Sequence, residues 1–421
     1  MQPSTDSAQE DTIQTQGNAQ RSSSVTQSTD TSTLVGGIEM SSWQKWRAAF
    51  QQVLPIYLAT HLAFLILTYF ATLFTIGNFS TNVLRVHTLL DSWFRWDSGE
   101  FTHIATTGYD AHWTFAFFPL FPLLEKGVSF FTHDPFIAGL LISNIAGLGM
   151  LIVLYRLVEQ DFDAEQAYRT ALYLAVFPSA FFFAAAYNES LFLFLILLSF
   201  YYMRQSNWWL AGLFGFLAAL TRSVGIILLL PFCYEYLRQR RFNLRAIRLD
   251  ILAGVLIPAG LGVYSLYCYF QFHDALAFSH AQSTWHRQLL APWQSFILAL
   301  HVIHHNALLS FTSIHTVLDL SACLFVLLLL TLCFVGPWKF STDRLVYGIY
   351  AVGMYIMVVS FPTIGVVPLA AYFRYMLEVF PVFIVLAAIG KKRQPNLYYL
   401  TLSITLLSFL LLQFLTGRWT V

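Results

Sequence analysis

The stretch FIAGLLISNIAGLGMLIVLYR, residues 136–156, decides the fold class. Its first twenty positions carry no charge, and Arg156 closes the run. A helix crosses the ~30 Å hydrocarbon layer of a bilayer with about 20 apolar residues, so this stretch is the length of one span. Comparable runs follow one another from about Val53 to the C-terminus. About eleven spans are predicted, near 52–76, 136–156, 167–186, 188–204, 207–221, 223–237, 250–271, 307–335, 345–362, 367–390 and 397–416. Thr221-Arg222-Ser223 interrupts the stretch 207–237, which reads as two short helices meeting there. Residues 116–131, with two prolines and a central Glu125-Lys126, read as re-entrant or interfacial.

Composition points the same way. The 421 residues are 57% apolar, 17% aromatic and 11% charged, with mean hydropathy +0.61. A soluble domain carries about 25% charged residues, so this chain could not cover a water-facing surface. Its 23 basic and 22 acidic side chains leave a net charge of +1, which excludes the basic excess of a nucleic-acid binder. Cys233, Cys268, Cys323 and Cys333 all sit in apolar runs without CxxC spacing, and read as small hydrophobes.

Residues 1–40 differ from the rest. They are rich in Ser, Thr and Gln and hold no Trp, Tyr or Phe. Such a segment buries too little surface to offset its ordering entropy, so a disordered cytoplasmic tail is expected over 1–45, ahead of one membrane domain over 46–421. With the N-terminus in the cytoplasm, alternating spans put fifteen basic residues on the cytoplasmic side: Lys45, Arg47, Arg156, Arg169, Arg204, Arg238, Arg240, Arg241, Arg245, Arg248, Lys339, Arg344, Lys391, Lys392 and Arg393. The opposite side receives seven: Arg85, Arg95, Lys126, Arg222, Arg287, Arg374 and Arg418. That asymmetry obeys the positive-inside rule. Two long loops, about 77–135 and 272–306, then face away from the cytoplasm, where chemistry is expected.

The first of these loops contains Arg95-Trp96-Asp97-Ser98-Gly99-Glu100-Phe101, then Ile104-Ala105, Gly108-Tyr109-Asp110 and Ala116-Phe117-Phe118-Pro119-Leu120-Phe121-Pro122. A carboxylate flanked by aromatics at a membrane surface suits a general base; an exposed Asp in an aromatic belt is the plainer alternative. The residue order resembles that of the PIG-V family, mannosyltransferase II of GPI-anchor synthesis and its prokaryotic relatives, within the GT-C class. That family's pattern is Arg-Trp-Asp, then Ile-Ala and Gly-Tyr, then Phe-Phe-Pro-x-(Phe/Tyr)-Pro. Three further blocks are similar to the family: Phe177-Pro178-Ser179-Ala180-Phe181-Phe182 leading to Tyr187-Asn188-Glu189-Ser190-Leu191-Phe192; Trp208-Trp209-Leu210-Ala211-Gly212 followed by Leu220-Thr221-Arg222-Ser223-Val224-Gly225; and Tyr372-Phe373-Arg374-Tyr375.

The resemblance implies an all-α, GT-C-like polytopic enzyme with long non-cytoplasmic loops. It would move a hexose, mannose first, from a polyprenyl-phosphate donor to a lipid or glycan acceptor with inversion. No cofactor, metal or nucleotide sugar is implied. Asp97 would deprotonate the acceptor. Trp96, Glu100, Tyr187, Glu189, Arg222, Arg374 and His280 are the expected substrate-binding residues. Arg222 and Arg374 are candidates to meet the leaving phosphate, because an ionisable group inside an apolar run is expensive. Snorkelling for Arg222, and an ion pair with Glu378 one turn on for Arg374, are the structural alternatives. Glu189 would bind sugar hydroxyls or meet its own helix dipole.

The second loop holds Gln271-Phe272-His273-Asp274-Ala275-Leu276-Ala277-Phe278, His280, Gln282, Trp285, His286, Arg287 and Pro292-Trp293. It suits a sugar or lipid headgroup, or an amphipathic helix at the interface. His301, His304 and His305 lack a carboxylate at ligand spacing, so no metal site is expected. The compact chain and its short loops favour a bacterial plasma membrane over the endoplasmic reticulum. A transporter or flippase, and a non-catalytic subunit for lipid-linked sugars, are the rival readings. Whether an accessory subunit assists is open.

Overall fold

A computed structural model describes residues 41–75, 86–365 and 367–418. The tail expected over 1–45 lies outside these residues except at its end, where Ser42 already starts a helix. Among the described residues the chain forms α1 Ser42–Thr75, α2 Val86–Asp91, α3 Asp97–Thr107, α4 Leu120–Thr132, α5 Pro135–Asp161, α6 Ala164–Ala175, α7 Glu189–Arg204, α8 Trp208–Thr221, α9 Leu229–Gln239, α10 Leu256–Phe272, α11 Ala277–His280, α12 Pro292–His305, α13 Phe311–Leu332, α14 Leu345–Val359, α15 Tyr372–Tyr375, α16 Pro381–Ile389 and α17 Arg393–Leu415.

Local chemistry sets several of these boundaries. Asp134 caps α5, accepting from the amides of Phe136 (2.8 Å) and Ile137 (3.4 Å), with Pro135 at the first helical position. Asp163 caps α6 through the Gln166 amide at 2.7 Å. Asn207 and Ser310 do the same for α8 and α13.

Five helical stretches are long and apolar enough to cross a membrane: Ser42–Phe74, Pro135–Asp161, Leu249–Phe272, Phe311–Leu332 and Arg393–Leu415. Tyr372–Glu378 and Pro381–Ile389 pass together as a sixth, bent by 86°. The protein is therefore an all-helical, multi-pass membrane protein.

Each of the other expected spans contains helix, but shorter than forecast. The run 167–186 is the clearest difference. Its helix ends at Ala175, and a turn at Val176–Ser179 leads to a 3-10 turn over Ala180–Phe183. Pro178 has no amide hydrogen to continue a helix. Every residue from Tyr173 to Leu193 is buried within protein, and irregular backbone at membrane depth is tolerated only there. The run 223–237 likewise splits into a 3-10 segment, Ser223–Leu228, and α9. Residues 116–131 mostly form α4, whose 13 residues are too few to span.

Glycines bring α8 against the stretch Leu249–Phe272. A Cβ at Gly212 would collide with the Ala253 backbone, and one at Gly260 with the Phe216 carbonyl. Small residues permit such backbone approach between helices in lipid.

Candidate active site

Four separated blocks of sequence meet at one end of the helices. Asp97 opens α3, Glu189 opens α7, Arg222 follows α8, and Arg374 and Glu378 lie where the chain bends between α15 and α16. Arg374 Nη1 donates to Asp97 Oδ2 at 2.6 Å, and its Nε donates to Glu189 Oε1. Arg222 Nη1 donates to the same Glu189 oxygen at 2.7 Å and to Asn188 Oδ1 at 3.3 Å, and lies 2.8 Å from Glu378 Oε1. Asn188 Nδ2 in turn donates to the Thr221 carbonyl at 3.0 Å, tying the start of α7 to the end of α8.

The backbone at each position explains the meeting. Arg222 is extended (φ −154°, ψ 141°) between α8 and the following 3-10 segment, so its side chain leaves the helix axis. Ala371, with φ +66°, turns the chain into α15, and Phe373's amide donates to Asp319 Oδ1 at 2.9 Å. Ser179 of the second block donates to the Phe373 carbonyl at 2.8 Å, docking the two blocks together. Trp96 holds φ +41°, an uncommon conformation for a bulky residue, immediately before Asp97. Strain of this kind persists only where surrounding structure fixes it. Here the Trp96 ring lies 5.3 Å from the Phe414 ring, and Tyr187 donates to the Arg95 carbonyl at 3.0 Å.

Exposure separates the three carboxylates. The side chains of Glu189 and Glu378 are 0% and 1% exposed, whereas that of Asp97 is 21% exposed. Asp97 Oδ1 has no hydrogen bond among the described residues, while Oδ2 is held by Arg374. The cluster thus presents one free carboxylate oxygen outward. Its own charges are three carboxylates against two guanidiniums.

Aromatic faces enclose the cations. The Arg374 guanidinium carbon lies 4.5 Å from the Tyr187 ring centre and 5.0 Å from that of Phe182. Tyr375 meets Arg222 at 5.1 Å and Arg374 at 5.7 Å.

The structure brings together Asp97, Tyr187, Glu189, Arg222 and Arg374 of the expected site, with Trp96 alongside. Glu100 lies three residues along α3, half-buried and unbonded to the cluster. Burial and the Asp97 charge raise its pKa above the usual carboxylate range. His280 stands apart from the pairings: its Nδ1 lies 2.7 Å from Asp274 Oδ2, an interaction that lowers the Asp274 pKa. Arg374 pairs with Asp97 and Glu189 and not with Glu378, which goes to Arg222. Glu378 and Tyr375 were not singled out as site residues by sequence reasoning. The signal for Glu378 was the one that marked Arg374, an ionisable group inside the apolar run 367–390. His301 and His305 stack at 3.9 Å, and among the described residues no group of three or more His, Cys, Asp or Glu is placed to hold a metal ion.

A cavity of about 390 Å³ is lined by Ile104, Tyr109, Leu120, Lys126, Leu220 and Tyr264 among others. Leu220 precedes Arg222 by two residues, and Ile104 is on the helix that Asp97 opens.

A multi-pass helical protein with a buried ion cluster and one outward carboxylate is the class these observations define. Its similarities are to mannosyltransferases. Residues 118–268 match the family described as dolichyl-phosphate-mannose-protein mannosyltransferase. GPI alpha-1,6-mannosyltransferase 2 of Rattus norvegicus is 34% identical over 156 residues, covering 34% of this chain and 31% of that protein. The Mus musculus protein of the same name matches with the same identity and coverage. GPI mannosyltransferase 2 of Drosophila pseudoobscura pseudoobscura is 34% identical over 110 residues, 24% of either chain. The matches thus span about a third or less of the length of these curated relatives. Among solved structures, ArnT from Cupriavidus metallidurans bound to undecaprenyl phosphate aligns with a TM-score of 0.47 at 13% identity, covering 78% of this chain and 74% of that one. The apo oligosaccharyltransferase of Archaeoglobus fulgidus aligns at 0.43 and 12%, covering 86% and 56%.

Proposed function

We propose that this protein is a membrane mannosyltransferase. Its 46–421 region acts as one catalytic unit that takes a hexose, mannose first, from a polyprenyl-phosphate donor of the dolichyl-phosphate type. It passes the sugar to a hydroxyl of a lipid-linked or glycan acceptor at the non-cytoplasmic face, in a bacterial plasma membrane. The sequence similarity to mannosyltransferases supports the reaction class and the donor. One observation carries the mechanism: of three clustered carboxylates, only Asp97 is open to a substrate, with one oxygen tied and one free.

The free Oδ1 accepts the acceptor hydroxyl proton as that oxygen attacks the anomeric carbon. The bond from that carbon to the phosphate oxygen breaks, and the lipid phosphate leaves with the electron pair. Attack opposite the leaving group inverts the configuration. Arg374 holds Asp97 by one oxygen and so aims it, and the base is in position before substrate arrives. Glu189 and Glu378 balance the two guanidiniums. Trp96 offers an aromatic face for a sugar ring, Glu100 and His280 are the outlying candidates for its hydroxyls, and the buried Tyr187 acts through Arg374, which its ring packs against. The apolar, tyrosine-lined cavity between α3, α4, the end of α8 and α10 suits a lipid chain.

The test is transfer of labelled mannose by the purified protein in nanodiscs, supplied with polyprenyl-phosphate mannose and a membrane lipid extract. A labelled product supports the proposal and identifies the acceptor. Donor binding without transfer, under all acceptor conditions, would instead point to a non-catalytic subunit.

A further inference from the structure

The cluster leaves no positive charge for the donor. Arg222 and Arg374 are outnumbered by Asp97, Glu189 and Glu378, and each guanidinium is engaged by carboxylates. A departing lipid phosphate would meet a site with a formal charge of −1. A third guanidinium stands nearby. Arg287 lies with its guanidinium carbon 5.1 Å from the Tyr375 ring centre, the ring that Arg222 and Arg374 also approach. Among the described residues Arg287 has no carboxylate partner and no side-chain hydrogen bond. The carboxylate of its own loop, Asp274, is taken by His280 at 2.7 Å.

The backbone fixes Arg287 on two sides. Its amide donates to the Gln282 carbonyl at 3.2 Å, closing the turn after Ala281–Trp285. Residues 286–290 then run antiparallel to 360–364. Arg287 bridges Thr363, Ile364 N donates to His286 O at 2.8 Å, Gln288 N to Pro362 O at 3.2 Å, and Leu290 N to Ser360 O at 2.9 Å. The chain beyond this 360–364 segment carries Arg374, Tyr375 and Glu378. A half-buried guanidinium held on an aromatic face beside an acidic cluster keeps its planar donors free for a bidentate anion.

We propose that Arg287, held at the Tyr375 ring that the paired arginines also approach, is the residue that grips the phosphate of the lipid donor. This rests on the polyprenyl-phosphate reading above. As the bond between the anomeric carbon and the phosphate oxygen breaks, that oxygen takes the electron pair. The Arg287 N–H groups donate to the phosphate as its charge grows. Arg222 and Arg374 then serve to hold the carboxylates in place.

The test compares wild type, Arg287→Gln and Arg287→Lys as full chains in nanodiscs. Polyprenyl phosphate, without sugar, is titrated in one arm with unphosphorylated polyprenol as control; transfer from polyprenyl-phosphate mannose is measured in the other. Expected for Arg287→Gln is a Kd for the lipid phosphate and a KM for the donor weakened about ten- to a hundredfold, as for loss of a charged hydrogen bond. Polyprenol binding should not change, and Arg287→Lys should recover part of the loss. If Arg287→Gln fails to fold, the lysine variant alone decides, because full wild-type affinity without a guanidinium would overturn the bidentate grip. Wild-type transfer with unchanged lipid-phosphate affinity in Arg287→Gln overturns this proposal and leaves the mannosyltransferase reading intact. Arg287-dependent binding without transfer supports the phosphate site and sinks the enzyme. No lipid-phosphate binding by wild type overturns both.

Discussion

Asp97, Arg374 and Glu189 form a chain of charges in which each residue depends on the next. Removing Arg374 would take one cation from the fully buried Glu189 and leave the partly exposed Asp97 without its partner. Breaking one partner of a buried pair costs about 3–5 kcal/mol, much more than an intact pair contributes. Arg374→Met should therefore lower stability by about that amount in denaturant unfolding of the detergent-solubilised protein. Arg374→Met combined with Glu189→Leu should recover part of it, because the uncompensated charge goes with its partner. Glu100 gives a prediction of opposite sign. Its folded pKa is raised by burial and by Asp97, so its charged form is disfavoured in the folded protein. The resulting loss of stability is present at neutral pH, and fades as acidification through the folded pKa lets the native state take up its proton. Glu100→Gln should raise the thermal midpoint at pH 7, with the gain vanishing at low pH.

Elements explain what single residues do not. The pairing of Arg374 with Glu378 expected from one-turn spacing requires a continuous helix. The chain instead passes from α15 into a 3-10 turn over Met376–Glu378 and bends by 86° before α16. The two side chains therefore part, Glu378 towards Arg222 and Arg374 towards Asp97. Helix α7 carries this cluster at its first residue and a second one at its last. There Arg204 lies 2.8 Å from Asp161 and 3.0 Å from Glu235, and Tyr347 donates to Asp161 at 2.6 Å, joining the ends of α5, α7, α9 and α14. At about 1.5 Å of rise per residue, the length of α7 puts Glu189 and Arg204 about 22 Å apart. Arg204→Met should thus destabilise the fold by about 3 kcal/mol while transfer per folded molecule stays at the wild-type value, measured by unfolding and by specific activity. Glu125 on α4 is a different case. It is fully buried, both its oxygens lack a partner among the described residues, and burial pushes its carboxyl up to about 9. An unpartnered buried polar group costs about 1–3 kcal/mol. Glu125→Met should raise the thermal midpoint, and a fall in activity without a fall in stability would reveal a working carboxyl.

Across the molecule, the sequence conveyed chemistry better than geometry. The apolar runs identified a polytopic membrane protein, and four short blocks supplied Asp97, Glu189, Arg222 and Arg374, which the fold brings into one cluster from positions up to 277 residues apart. Partners were not legible, because ion pairing across such separations depends on how helices break. The breaks at Val176–Ser179 and Tyr375 fall inside runs that read as uninterrupted, whereas the break at Arg222 is marked in the sequence by Thr221-Arg222-Ser223. Span lengths were overestimated for the same reason: an apolar run buried in protein need not be a continuous helix, whereas one facing lipid must be. Arg287 stood in a quoted loop without distinction, since nothing local shows that the other arginines are already paired.

The central claim is that Asp97 takes the acceptor proton. The most direct measurement is mannose transfer by Asp97→Asn beside wild type, both shown to be folded by cooperative thermal unfolding above the assay temperature and by equal donor affinity. Loss of a positioned base removes about 10²–10⁴ in rate, so Asp97→Asn is expected to bind donor normally and transfer at most about a hundredth as fast. Transfer by Asp97→Asn at the wild-type rate would contradict the account, and would move the base to another residue or remove it from the mechanism.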